Sequence, residues 1–274
     1  MKKVLIPTDF SLNNFNTIDY TINLFKDVNC DFFFLHAYNY DINDLDAVEL
    51  LQRDKEWFDK PKDNSLEQLG KLKERFCLSQ NNPGHRFQII SECLPILDAI
   101  KKNIKGLDID LVVLSKQLKE KISKRNQIIL NKVRNCPILL VPAHAGICNK
   151  LNLTIVSDFK NFNLNDLEKL TLNIRKEKIK ISIMILARQP LSDEAANNLM
   201  LLIVFLKQYQ KSPAEISYAV SNNQIASYAQ SNQGEIICLV DKKPGVFRKI
   251  GLLKSEMISK LEQLRNSTVL AIHQ

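Results

Sequence analysis

Two rhythms of apolar residues alternate along this chain. Short, mostly apolar runs recur as KKVLIP near the N-terminus, DFFFLHAY at 31–38, RFQIIS at 86–91, DIDLVVLS at 108–115 and CPILLVP at 136–142. Between the first two runs, Leu12, Phe15, Ile18, Ile22 and Phe25 fall at helical spacing behind Ser11, a residue suited to an N-cap. The charged stretch 44–80 predicts one or two surface helices. PILDAIKKNI at 95–104 predicts a helix entered through Pro95, and 119–135 predicts another. Unbroken apolar strands alternating with amphipathic helices imply a parallel sheet covered on both faces.

The second half repeats the scheme. Strands are expected at 151–157, 179–187, 214–220, 235–241 and 267–272, with helices at 164–178, 192–210, 222–231 and 254–266. The chain therefore reads as a tandem duplication of one α/β unit, residues 1–145 and 146–274, with the boundary in AHAGICNK. A small device is duplicated with it. The first strand of each half ends in a hydroxyl residue, an aspartate and a phenylalanine: Thr8, Asp9, Phe10 and Ser157, Asp158, Phe159. Ligands of doubly wound sheets collect outside the C-terminal strand ends. An aspartate there is a candidate for a ligand hydroxyl or amine; the plainer reading is a carboxylate that caps the next helix or braces the loop.

Composition narrows the class. The chain has 274 residues, 45% hydrophobic and 25% charged, with no low-complexity tract. Its longest strongly apolar run, LMLLIVFL at 199–206, is too short to cross a bilayer, and Asp9 interrupts any signal-peptide core, so the cytoplasm is expected. The six cysteines form no CxxC pair, and most lie in strand-like runs, which argues against a disulfide framework. The net charge of +8 divides as +3 in residues 1–150 and +5 in residues 151–274, without a polybasic tail. Such dispersion argues against nucleic-acid binding.

The residues VLIPTDFSLNNFNTIDYTINLF, the strand FFFLHAY, the strand DIDLVVLS and the closing VRNCPILLVP resemble, in order and spacing, the universal stress protein family. The likeness covers nearly all of residues 1–142, whereas 151–274 keep the pattern but little of the sequence. It implies two tandem flavodoxin-like, Rossmann-like domains, each with a five-stranded parallel sheet, often paired through their last strands. Many members of that family bind ATP. The resemblance implies nucleotide contacts at Pro7, Thr8 and Asp9 after strand one, Ala37 after strand two, and Ser115, Lys124 and Arg125 after strand four. Family members hold the phosphates in a glycine-rich loop after strand four, where backbone amides can close on an anion. Here no glycine occurs between Gly106 and Gly146, and Gly245 and Gly251 stand at the wrong spacing in the second half. Basic residues stand in that place. Lys116, Lys119, Lys121, Lys124, Arg125, Lys132 and Arg134 lie in the first half, and Lys242, Lys243, Arg248, Lys249 and Lys254 in the second. They form either an anion site built from side chains, a docking patch for an acidic partner, or a solvated helix face.

Nothing else supplies chemistry. His144 and Cys148 lack further ligands nearby, His36 reads as a hydrogen-bonded strand histidine, and His85 lies in a turn. No nucleophile elbow, Walker loop or zinc signature occurs. Trp57 is expected to anchor a helix or pack at an interface. These features predict a non-catalytic, cofactor-free universal-stress-type protein that acts through a protein partner or as a homodimer. The alternatives are a nucleotide or small-anion sensor built on Asp9 and the basic segment, with ATP as its ligand, and weak phosphohydrolysis in the same cleft.

Overall fold

In the computed structural model, ten strands share one sheet, and the described residues are 1–40, 52–79, 82–116, 122–146, 151–160, 162–164, 179–187, 190–208, 212–241 and 256–273. The first half runs β1 (Lys2–Pro7), α1 (Leu12–Leu24), β2 (Cys30–Ala37), α2 (Lys55–Ser79), β3 (Arg86–Glu92), α3 (Ile96–Leu107), β4 (Leu111–Lys116), α4 (Lys124–Lys132) and β5 (Ile138–Pro142). The second half runs β6 (Leu151–Ser157), β7 (Ile179–Ile185), α5 (Asp193–Leu206), β8 (Ile216–Tyr218), α6 (Asn222–Ser231), β9 (Ile236–Asp241), α7 (Glu256–Gln263) and β10 (Thr268–His273).

The strand order is β3-β2-β1-β4-β5-β10-β9-β6-β7-β8. Every pairing inside a half is parallel, and the order reverses beside β1 and again beside β6. The two halves meet where β5 and β10 pair antiparallel, Leu139 opposite Leu270 and Leu140 opposite Val269. Each half is thus a doubly wound unit with a switch point at its first strand. The edges that would otherwise lie open at β5 and β10 cover each other.

Alternation along the strands divides the core between two faces. Val4, Ile6, Phe32 and Phe34 pack with Ile18 of α1 and Leu69, Leu72 and Phe76 of α2. Leu5, Phe33 and Leu35 pack on the opposite face with Ile100 and Ile104 of α3 and Ile129 of α4. Both clusters continue across the β5–β10 seam, through Val141 and Ile272 on one face and Leu140 and Ala271 on the other. Burying a leucine or isoleucine side chain contributes about 2 kcal/mol. The seam is therefore bound by apolar packing as well as by its ladder.

Local chemistry explains most of the element boundaries, and it corrects several expected ones. Ser11 caps α1 as expected, accepting from the Asn14 amide, and Ile18 and Phe25 are fully buried, but Leu12 at the first helical position is 75% exposed. The helix expected over 119–135 begins only at Lys124, because Ser123 caps it by accepting from Asn126; residues 117–121 lie outside the described residues. The strand expected over 214–220 shrinks to Ile216–Tyr218, an edge strand that leads at once into the Ser221 capping box of α6. The expected helix at 164–178 lies outside the described residues beyond Leu164, as do the basic cluster after β9 and Cys148. The five described cysteines are free; Cys30, Cys136 and Cys238 are buried in or beside strands, whereas Cys77 on α2 and Cys93 after β3 are exposed. Among the described residues no helix is long and apolar enough to cross a membrane.

Candidate functional site

The turn that leaves β1 is built from its own side chains. Thr8, 3% exposed, donates its amide to Leu35 O at 2.8 Å and accepts the Phe10 amide on Oγ1 at 3.1 Å. Asp9 accepts on Oδ1 from the Ser11 amide at 3.0 Å and from Ser11 Oγ at 2.6 Å. These bonds hold Phe10 at φ 58°, a left-handed conformation that an aromatic residue rarely adopts. The second half repeats the arrangement. The Phe159 amide donates to Ser157 Oγ at 3.0 Å, the Lys160 amide donates to Asp158 Oδ1 at 3.1 Å, and Phe159 also has φ 58°. The aspartate after each first strand therefore serves the backbone locally, closing the turn that leaves the sheet.

Around this turn the first half gathers polar groups at the C-terminal edge of its sheet. The His36 ring lies 4.7 Å from the Phe10 ring, and its Nδ1 is 2.9 Å from Ser65 Oγ. Ser65 Oγ lies 2.7 Å from Ser91 Oγ, so a hydrogen-bonded chain links β2, α2 and β3. Burial lowers the His36 pKa first, and the nearby Arg125 cation lowers it further, while Asp9 opposes both. Burial also lowers the Arg125 pKa, and Asp9 counteracts that shift. An imidazole, a guanidinium and a carboxylate thus share one electrostatic neighbourhood at the switch point. Asn126, one residue after Arg125 and buried, donates from Nδ2 to Ser115 O at 2.9 Å and ties the start of α4 to the end of β4. Asn14 on α1, also buried, donates to Pro7 O at 3.2 Å.

The positions picked out in the sequence separate into two groups here. Asp9 and Arg125, both exposed, lie within electrostatic reach of His36. Pro7 and Thr8 are buried in the strand end and the turn, and Ala37 is half-buried at the end of β2, opposite Glu92. Ser115 contributes its carbonyl to Asn126, and Lys124 is exposed on the first turn of α4. Sequence reasoning overlooked Ser65 and Ser91. Ser65 carried a signal, because it stands in helical register with Leu69, Leu72 and Phe76, and it is 1% exposed. A hydroxyl in an apolar stripe needs a partner.

His85 and Trp57 have structural surroundings. His85 is buried and donates from Nε2 to the carbonyls of Phe25 and Val28 at 3.2 and 3.1 Å. Trp57 stacks on Tyr40 at 5.4 Å and meets Phe58 edge-on at 4.9 Å.

At the corresponding edge of the second half, the described residues place an aromatic pair beside the turn. Phe159 is fully buried against Phe162, with ring centroids 5.1 Å apart, and Leu186 follows β7 close to where His36 stands in β2. Asn198 of α5 donates to Phe159 O at 2.8 Å. Among the described residues no cluster of three or more His, Cys, Asp or Glu could hold a metal ion.

Fold and edge together define a tandem, doubly wound α/β protein whose described residues gather a polar cluster at the strand ends of the first half. This is the fold of the universal stress proteins. A universal stress protein from Archaeoglobus fulgidus DSM 4304 has this architecture with a TM-score of 0.72 at 13% identity, over 99% of this chain and 98% of that one. A chain from Pseudomonas aeruginosa UCBPP-PA14, provisionally named a universal stress protein, matches with a TM-score of 0.59 at 13% identity, over 100% and 93%. The cytoplasmic domain of a prokaryotic cation chloride cotransporter matches with a TM-score of 0.53 at 14% identity, over 98% and 94%. No protein-family model and no curated protein matches the chain.

Proposed function

We propose that this chain is a cytoplasmic, non-catalytic member of the universal stress proteins that acts by binding other proteins. The observation that carries this reading is the engagement of Asp9. Its carboxylate closes its own turn through Ser11, as Asp158 does through Lys160, so the residue best placed to contact a ligand serves the backbone in both halves. The absence of glycine between Gly106 and Gly146 supports the same conclusion, because a loop without glycine closes its backbone amides on a phosphate only against Cβ crowding. A homodimer cannot use the edges of β5 and β10, which are already paired within the chain. The test is native mass spectrometry of the purified protein with and without added ATP, beside a nucleotide hydrolysis assay. The reading expects an unliganded mass and turnover no faster than in buffer. Copurified nucleotide, or hydrolysis above the blank, overturns it.

A second reading rests on a separate observation, the Arg125 guanidinium beside Asp9 and His36. In it the cleft takes a small anion or a nucleotide without a glycine cradle, with Arg125 on the negative charge and Asp9 on a hydroxyl. This reading expects Arg125→Ala to weaken binding at least tenfold while the thermal midpoint stays within a few degrees. Equal binding by the variant rejects it.

A further inference from the structure

Lys116, the last residue of β4, is 5% exposed and reaches into the other half of the molecule. Its Nζ donates to Leu264 O at 2.7 Å and to Ser267 O at 2.8 Å. Those two carbonyls begin and end one turn, closed by the Ser267 amide on Leu264 O at 3.3 Å, and that turn leads from α7 into β10. The topology explains the reach. β5 lies between β4 and β10, Lys116 stands opposite Pro142 at the end of β5, and β10 starts at that end because it runs antiparallel. The lysine crosses two strand spacings, about 10 Å. The strand that joins the halves is thus launched from a turn gripped by a residue of the opposite half.

The seat suits a neutral amine. An uncharged Nζ has two N–H donors, and two carbonyls receive them. A third proton adds a charge in a dry site where no carboxylate among the described residues compensates it. Among the described side chains, the titratable groups on the surrounding elements are Lys260 and Glu262 on α7, Arg265 after it, His273 on β10, and Lys124, Arg125 and Lys132 on α4. None of them contributes to the state of Lys116. Burial alone depresses its pKa, to about 7.

We propose that Lys116 is a proton-sensitive pin between the two halves: the neutral amine seats the α7–β10 turn, and protonation loosens it. The sign follows from linkage. An unfolded lysine keeps its proton up to about pH 10.5, whereas the seated one loses it near 7. The seat is fully effective above 10.5 and weakens as pH falls. Its opening becomes about tenfold more favourable per pH unit down to 7 and then levels off. This device is independent of whatever the strand-end cleft binds.

The test compares the intact wild-type chain with Lys116→Met, which fills similar volume and cannot be protonated. Urea unfolding is followed by circular dichroism between pH 6 and 9.5. The folding constant of the wild type, relative to the variant, is expected to rise about tenfold per unit between pH 7.5 and 9.5 and to be flat below 6.5. Parallel pH profiles overturn the proposal. If Lys116→Met does not fold, wild-type protein labelled with 13C at lysine Cε decides. One lysine resonance titrating near pH 7, absent from Lys116→Arg, supports the pin; all lysines titrating above 9 overturns it.

Discussion

Phe10 and Phe159 hold the same left-handed backbone conformation, φ 58°, at the same turn in opposite halves of the sheet. A side chain at positive φ costs about 1–2 kcal/mol, and here two hydrogen-bonded turns sustain that cost. The two residues differ in burial: Phe10 is half-buried against His36, and Phe159 is fully buried against Phe162. Phe159→Gly is therefore expected to destabilise the protein by about 2–3 kcal/mol, lost packing exceeding relieved strain. Phe10→Gly is expected to stay within about 1 kcal/mol of wild type. Equilibrium urea unfolding of both variants checks the contrast.

Asp9→Ala removes the acceptor for the Ser11 amide and hydroxyl, and Ser11 itself caps α1. A loss of about 1 kcal/mol is expected, with Asp9→Asn recovering at least half of it, because an amide oxygen can still accept. If Asp9 were free for a ligand instead, both substitutions would leave stability unchanged.

His36 is expected to titrate below the ordinary 6.5, chiefly because it is buried and secondarily because of Arg125. Arg125→Ala should raise its midpoint, and Asp9→Asn should lower it, as read from the pH dependence of the imidazole proton resonances. The linked stability effect has a definite sign. Between the lowered folded value and 6.5 the unfolded chain binds more protons, so stability is full above 6.5 and falls with pH through that window.

Ser65→Ala breaks the chain from His36 to Ser91 inside the fold. A cost of about 1–2 kcal/mol is expected, since Ser91 Oγ and His36 Nδ1 each lose their partner. The His36 midpoint should shift in the same variant, which mere loss of packing at the helix would not cause.

The first half expressed alone, residues 1–146, uncovers the edge of β5 that β10 covers in the full chain. An uncovered apolar edge strand pairs with whatever strand it meets. The fragment is expected to be dimeric or larger by light scattering while the full chain is not driven to associate through that edge. A monomeric fragment would show that β10 is dispensable to the first half.

The duplicated architecture was legible in the chain because its central strands are buried on both faces. VLIP, DFFFLHA and LVVLS cannot alternate with polar residues and remain covered, so periodicity alone separates them from the helices. Boundaries were less legible wherever one side chain decided them. The start of α4 rests on Ser123 finding the Asn126 amide, and the three-residue β8 on how soon Ser221 caps α6. Such competitions are settled by local hydrogen bonds that composition does not record.

The candidate site divides in the same way. The chain by itself determined that each first strand ends in a hydroxyl residue, an aspartate and a phenylalanine, and that no glycine cradle follows β4. It could not show that Asp9 turns back onto Ser11, that Ser65 bridges His36 to Ser91, or that Lys116 crosses β5 to hold the turn before β10. Each of these is a contact between residues whose side-chain directions follow from strand order and register. Whether a polar group is satisfied, charged or available therefore depends on which strands become neighbours, and only the folded sheet decides that.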